Sequence, residues 1–179
     1  MAESVPTTVW AFRGLYALLA AVLLFVRLLP LGSVAGGWPG PDLLMCVTFV
    51  WVLRRPDYVP ALLIAVIVLI EDFLMMRPPG LWAALMVLAA EFLRNRAALT
   101  RELSFVLEWL LVSGIMTAVT MANRMVLAIT MLDQVSLGQT MVQLVASILC
   151  YPVVVAVSAL AFGVRKPAAG EVDAYGRRL

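Results

Sequence analysis

Phe12 to Leu29, Leu43 to Leu53, Val59 to Ile70, Leu81 to Phe92, Leu103 to Leu132 and Met141 to Phe162 are almost unbroken apolar stretches, and they constrain this chain more than any other feature. A helix needs about 20 residues to cross a hydrocarbon core of about 30 Å. The first, fifth and sixth stretches meet that length. The three middle ones require polar flanks, local thinning of the bilayer or protein cover to cross. Only 13% of residues are charged, against about 25% in soluble domains, so the chain lacks the polar surface to coat a globule. Lipid as solvent forces every backbone polar group to be satisfied internally, which predicts an all-α, polytopic membrane protein of six transmembrane helices. A soluble enzyme is excluded. Turn chemistry separates the blocks: Pro30, the run Gly36-Gly37-Trp38-Pro39-Gly40-Pro41, then Arg54-Arg55-Pro56, then Pro78-Pro79-Gly80.

Charge sets the orientation. With both termini cytoplasmic, the inner segments hold Arg13, Arg54, Arg55, Arg94, Arg96, Arg101, Arg165, Lys166, Arg177 and Arg178, and the outer loops hold only Arg77. This asymmetry follows the positive-inside rule, and removing one middle span would set Arg94, Arg96 and Arg101 against Arg54 and Arg55. The first stretch is expected to remain uncleaved, although Ser33-Val34-Ala35 has the small residues of a cleavage site, because its apolar part is longer than a signal core and carries Arg27. Residues 1–163 are expected to form the membrane domain and 164–179 a short cytoplasmic tail.

Helical rise places Arg27 about 25 Å along the first helix and Glu71 and Asp72 about 20 Å along the third. Asp42 opens the second helix and Arg124 lies near the outer end of the fifth, so five ionisable groups fall at similar depth in the outer leaflet. A lone ion there costs at least about 2.5–3.5 kcal/mol, which predicts mutual pairing in the bundle interior. An ion-pair knot is favoured over a conduction path because no chain of acids continues inward from Glu71 and Asp72. Ser113, Thr117, Thr120 and Arg124 form one stripe on the fifth helix, expected to face protein unless the hydroxyls bond their own i−4 carbonyls. Gly114, Ala118 and Ala122 have small-xxx-small spacing, and Ala83, Ala84, Ala89 and Ala90 crowd the fourth helix; either set is a candidate helix interface. The length of Leu103 to Leu132 leaves open one helix or two, with a kink or re-entrant piece near Arg124.

Glu91 and Glu108 are expected to snorkel at the inner ends of their helices, with Arg94 and Arg101 as basic neighbours. Trp10, Trp38, Trp82 and Trp109 fall near span ends and read as interfacial anchors, with Trp51 near the inner end of the second helix. The ten methionines suit adaptable packing, and Cys46 and Cys150 lie in apolar runs as small hydrophobes. With no histidine, no Gly-rich phosphate loop and no G-x-S-x-G, neither catalysis nor a metal or cofactor is expected. Neighbouring Glu71 and Asp72 point about 100° apart, so they do not form a facing dyad. A formal charge of +2 argues against a nucleic-acid partner.

The ordered series Gly37-Trp38-Pro39-Gly40-Pro41-Asp42-Leu43-Leu44, Trp51-Val52-Leu53-Arg54-Arg55-Pro56-Asp57-Tyr58-Val59-Pro60, Glu71-Asp72 and Pro79-Gly80-Leu81-Trp82-Ala83-Ala84-Leu85 resembles MreD, the bacterial rod-shape-determining membrane protein family. Phe105 to Glu108, Ala122-Asn123-Arg124, Gly163 to Lys166 and Gly170 to Asp173 look like its alphaproteobacterial branch. The resemblance implies a non-catalytic inner-membrane scaffold of the elongasome, which lays down peptidoglycan along the side wall. It implies binding to the transmembrane helix of MreC, and through it ties to RodA, its partner transpeptidase and, indirectly, MreB. The implied fold is similar to the six-helix substrate-binding subunits of energy-coupling-factor transporters. Most members have a neutral residue where this chain has Glu71, which calls for a local partner, Arg27 or Arg124. The rival reading is a small-molecule binding or transport subunit, which predicts Arg27, Glu71, Asp72 and Arg124 lining an outward cavity. A lipid-processing enzyme ranks last, for want of an acid and nucleophile together.

Overall fold

The computed structural model describes residues 7–29, 39–102 and 104–164, with the side chains of 98–102 left aside. Six α-helices account for most of them: α1 (Thr7–Leu28), α2 (Leu43–Arg54), α3 (Ala61–Leu74), α4 (Leu81–Glu102), α5 (Phe105–Ile129) and α6 (Leu137–Ala161), with a single 3₁₀ turn, Pro56–Tyr58, between α2 and α3. No strand occurs among the described residues. Of the helices, α1, α5 and α6 are long and apolar enough to cross a membrane, and the chain is an all-helical membrane protein.

Helix α2 is the centre. Its sequence is apolar on every side, and a helix of that kind belongs inside a bundle. From Leu44 to Arg54 only Val47 escapes full burial. Thr48, its one uncharged polar residue, donates to the Leu44 carbonyl at 2.7 Å and shares a 2.8 Å hydrogen bond with the buried Tyr16 hydroxyl of α1. Helices α1, α4 and α6 pack on α2, and contacts α1–α3, α3–α4, α4–α5 and α5–α6 give the order of the surrounding ring. At 12 residues α2 is about 18 Å long, so it is sheltered by neighbours over a length that lipid alone would not match. The alanines of α4 serve this packing: Ala83, Ala89 and Ala90 are buried inside the bundle, and only Ala84 is exposed. The expectation of a free alanine-rich face on α4 is therefore corrected at those buried positions.

Successive helices run antiparallel. The ends of α1, α3 and α5 meet the starts of α2, α4 and α6 at one pole, here the distal end; the opposite pole is the proximal end. Two turns at the distal end share one design. Met76 follows α3 with φ 53° and Met131 follows α5 with φ 54°. Arg77 N–H then donates to the Asp72 carbonyl at 2.9 Å, and Leu132 N–H to the Leu127 carbonyl at 3.1 Å, closing Schellman caps. Glycine is the usual residue at that left-handed position; methionine holds it here at both helix ends. Helix α5 continues unbroken through Arg124, so of the two arrangements left open for this stretch the structure has one helix. Residues 165–179, which include the expected tail from Arg165 onward, and Ser33 to Ala35 and Trp38 lie outside the described residues.

Candidate functional site

The distal end gathers the charges expected at similar depth in the outer leaflet. Arg27, in the last turn of α1, donates through Nη1 to Glu71 Oε1 at 2.6 Å and lies 3.6 Å from Asp42 Oδ2. The Schellman turn after α3 brings Arg77 back over the helix it has just left, so that its Nη1 is 3.5 Å from the same Glu71 oxygen. Glu71 is 1% exposed, and a carboxylate so buried requires the two guanidiniums it receives. Asp42 does double service. Its Oδ1 accepts from Met45 N–H at 3.1 Å and caps α2, while its own N–H donates to Ser147 Oγ of α6 at 2.7 Å.

Asp72 has a different task. The Pro78-Pro79-Gly80 run before α4 contains no capping side chain, and Asp72 Oδ2 supplies the cap from α3 by accepting from Gly80 N–H at 3.0 Å and Ala83 N–H at 3.3 Å. A negative charge beside the helix N-terminus is favourable for the same reason. Asp72→Ala is expected to cost about 0.5–2 kcal/mol, the usual loss for an N-cap, and to show as faster proteolysis near residue 80 in a time course on the purified protein.

Expectation and geometry part at Arg124. It lies at the distal end, yet among the described residues it joins no carboxylate: Nη1 donates to the Val135 carbonyl at 2.9 Å and to Thr140 Oγ1 at 2.8 Å, tying α5 to the start of α6. Arg27, Asp42, Glu71 and Asp72 come together, and Arg77, read from sequence as an ordinary loop residue, takes the place foreseen for Arg124. The stripe above it is also corrected. Ser113, Thr117 and Thr120 each donate to the carbonyl four residues earlier, at 2.7 to 2.8 Å, and Thr117 is exposed, so the stripe does not face protein as a unit.

Two cavities open beside the cluster. The first, about 340 Å³, lies among the distal ends of α4, α5 and α6, with Arg77, Arg124, Asn123, Asp133, Gln134 and Gln143 among its lining groups. The second, about 530 Å³, lies between α1 and the start of α6 and is bordered by Arg27, Leu24, Leu44 and Gln139. Buried Glu71 and Asp72 line neither, so of the cluster only Arg27, Arg77 and Asp42 border the open space. No group of three or more metal-ligating side chains occurs among the described residues.

A second polar knot, at the proximal end, escaped sequence reasoning. Glu108 is fully buried and does not snorkel; its Oε1 is 3.4 Å from Arg54 Nη2 of α2 and accepts from the Tyr151 hydroxyl of α6 at 3.1 Å. Arg94 does pair with Glu91 and reaches the Val59 carbonyl. Arg13 donates to the Asp57 carbonyl at 3.2 Å, and Phe12 stacks on Tyr58 at 4.3 Å. Three tryptophans expected near the interface face protein instead: Trp51 donates to Ser158 Oγ, Trp109 to the Ile148 carbonyl, and Trp82 lies under the Arg77 guanidinium. Trp10 alone of the described tryptophans is exposed.

The sequence matches no protein-family model, no curated protein and no solved structure.

Proposed function

We propose that this chain is a non-catalytic scaffold of the bacterial inner membrane, an MreD-like component of the elongasome that binds the transmembrane helix of MreC. All six helices cross the bilayer in this reading, with the distal end outward and both termini in the cytoplasm, in a fold like that of energy-coupling-factor substrate-binding subunits. RodA and its partner transpeptidase, and MreB indirectly, are the further members of the assembly. The support is the ordered motif series from Gly37 to Leu85 together with one structural observation: Gly114 and Ala118 are exposed on α5, and a methyl group added at Gly114 meets nothing within 4 Å. A ridge of small residues left uncovered by its own chain lets another helix approach closely in lipid, where packing rather than hydrophobicity drives association.

The same openness makes a clean test. Gly114→Leu leaves the bundle intact, with an unchanged melting temperature in detergent, and lowers co-purification of MreC at least fivefold. Unchanged recovery with Gly114→Leu and with Ala118→Leu contradicts the docking face. The second reading, a small-molecule binding subunit, draws on the 340 Å³ cavity beside Arg77 and Arg124, a volume at the lower end for ligand sites. Direct pairing of Arg27 and Arg77 with Glu71, and the position of Glu71 and Asp72 outside both cavities, support the scaffold.

A further inference from the structure

Among the described residues no carboxylate pairs with Arg124. It lies in a 25-residue helix long and apolar enough to span a membrane, and its hydrogen-bond acceptors, the Val135 carbonyl and Thr140 Oγ1, are neutral. Three acids at its end of the bundle are committed elsewhere: Glu71 to Arg27 and Arg77, Asp72 to the start of α4, and Asp42, which also borders the cavity, to Arg27 and the Met45 N–H. Asp133 borders the same cavity, but no carboxylate among the described residues lies within ion-pair distance of Arg124. Residues 30–38, the other distal connection, contain no Asp or Glu. Ionisable groups at such depth are expected to be paired, and no described carboxylate is close enough to pair with this one, which makes the site receptive to an added anion.

The cavity beside Arg124 is furnished for an anion with several acceptors. Both of the arginine's hydrogen bonds leave from Nη1, which keeps the Nε and Nη2 donors free. Asn123, Gln134 and Gln143 border the same space, and the side-chain amide of each carries two N–H donors. A guanidinium fork engages both oxygens of a carboxylate, whereas a phosphate held the same way keeps further oxygens for the amides. We propose that this distal cavity binds a phosphate group, with Arg124 as its principal partner and the three amides completing the donor set. Met75, Leu81 and Leu127 continue the wall in apolar form and suit the glycerol and first methylenes of a lipid, while the cavity also admits a free phosphate.

The test uses the purified full-length chain in a neutral detergent, titrated separately with dihexanoyl-phosphatidylglycerol, inorganic phosphate and dihexanoylglycerol, with melting temperature as the readout. A saturable rise with the phospholipid alone identifies a headgroup site, and an equal rise with inorganic phosphate identifies a soluble phosphate; uncharged dihexanoylglycerol gives none. Arg124→Gln weakens the apparent affinity at least tenfold, while Arg96→Gln, over the Phe92 ring near the opposite end, changes it less than twofold. If Arg124→Gln does not fold, Asn123→Leu replaces it and is expected to weaken binding at least threefold. No saturable rise with either phosphate probe, an equal rise with the uncharged lipid, or full affinity in the folded variant overturns the proposal.

Discussion

Glu71→Leu is expected to lower the stability of the purified protein by about 3–5 kcal/mol, the cost of breaking a buried ion pair from one side. Arg27 is the residue left exposed to that cost. Its side chain is 28% accessible and points into the bundle toward Glu71, and without that carboxylate only Asp42, 3.6 Å away, offsets its charge. Arg77 loses less, since its side chain is 32% accessible and already rests on Trp82. The double variant Arg27→Met with Glu71→Leu is expected to recover most of the loss, because replacing a whole buried pair by apolar groups is often neutral or better. Equilibrium unfolding in mixed micelles measures both. A double variant no more stable than Glu71→Leu alone would show that Glu71 acts through packing and not through charge.

At the proximal end the same argument gives the second large effect. Glu108→Leu is expected to cost about 3–5 kcal/mol, since it strands the Arg54 guanidinium, whose side chain is only 9% accessible, and removes the acceptor of the Tyr151 hydroxyl. Glu91→Leu is the natural comparison. That glutamate pairs with Arg94 within one helix and has a 39% accessible side chain, so its loss is expected to cost no more than about 1 kcal/mol. Comparable losses for the two variants would mean that Glu108 does not hold a buried charge. Together these knots fix opposite ends of α2, through Asp42 at its start and Arg54 at its end, which explains how a helix of 12 residues keeps its register inside longer neighbours.

The positions of the six helices could be read from the apolar blocks because lipid and protein interior both reward long runs of Leu, Val, Ala and Ile. The distal gathering of Arg27, Asp42, Glu71 and Asp72 could be read as well, since helical rise and alternating direction fix depth. Partner choice could not. Arg77 reaches Glu71 only because Met76 adopts a left-handed turn, and nothing in the sequence marks a methionine for that conformation. Arg124 was assigned to the acids on depth alone; its azimuth on α5 instead carries it to the start of α6. Glu108 looks terminal because the apolar block starts at Leu103, yet it alone of the first four residues of α5 is buried, turned inward to Arg54 of α2 and Tyr151 of α6. Depth is one coordinate of a helical side chain, and rotation about the helix is the one that selects its neighbour. Alanine spacing misled for the same reason: Ala83 and Ala90 face the bundle and Gly114 and Ala118 face away from it, although both sets have small-residue patterning.

The scaffold reading makes the outward face of α5 the place where another helix sits. A photo-crosslinking residue at Leu110, exposed one turn before Gly114, tests this in native membranes against the same residue at Leu62, exposed on α3. The account predicts an adduct with MreC from position 110 and none from position 62. Adducts with lipid alone at position 110, or equal MreC capture from both positions, would contradict it.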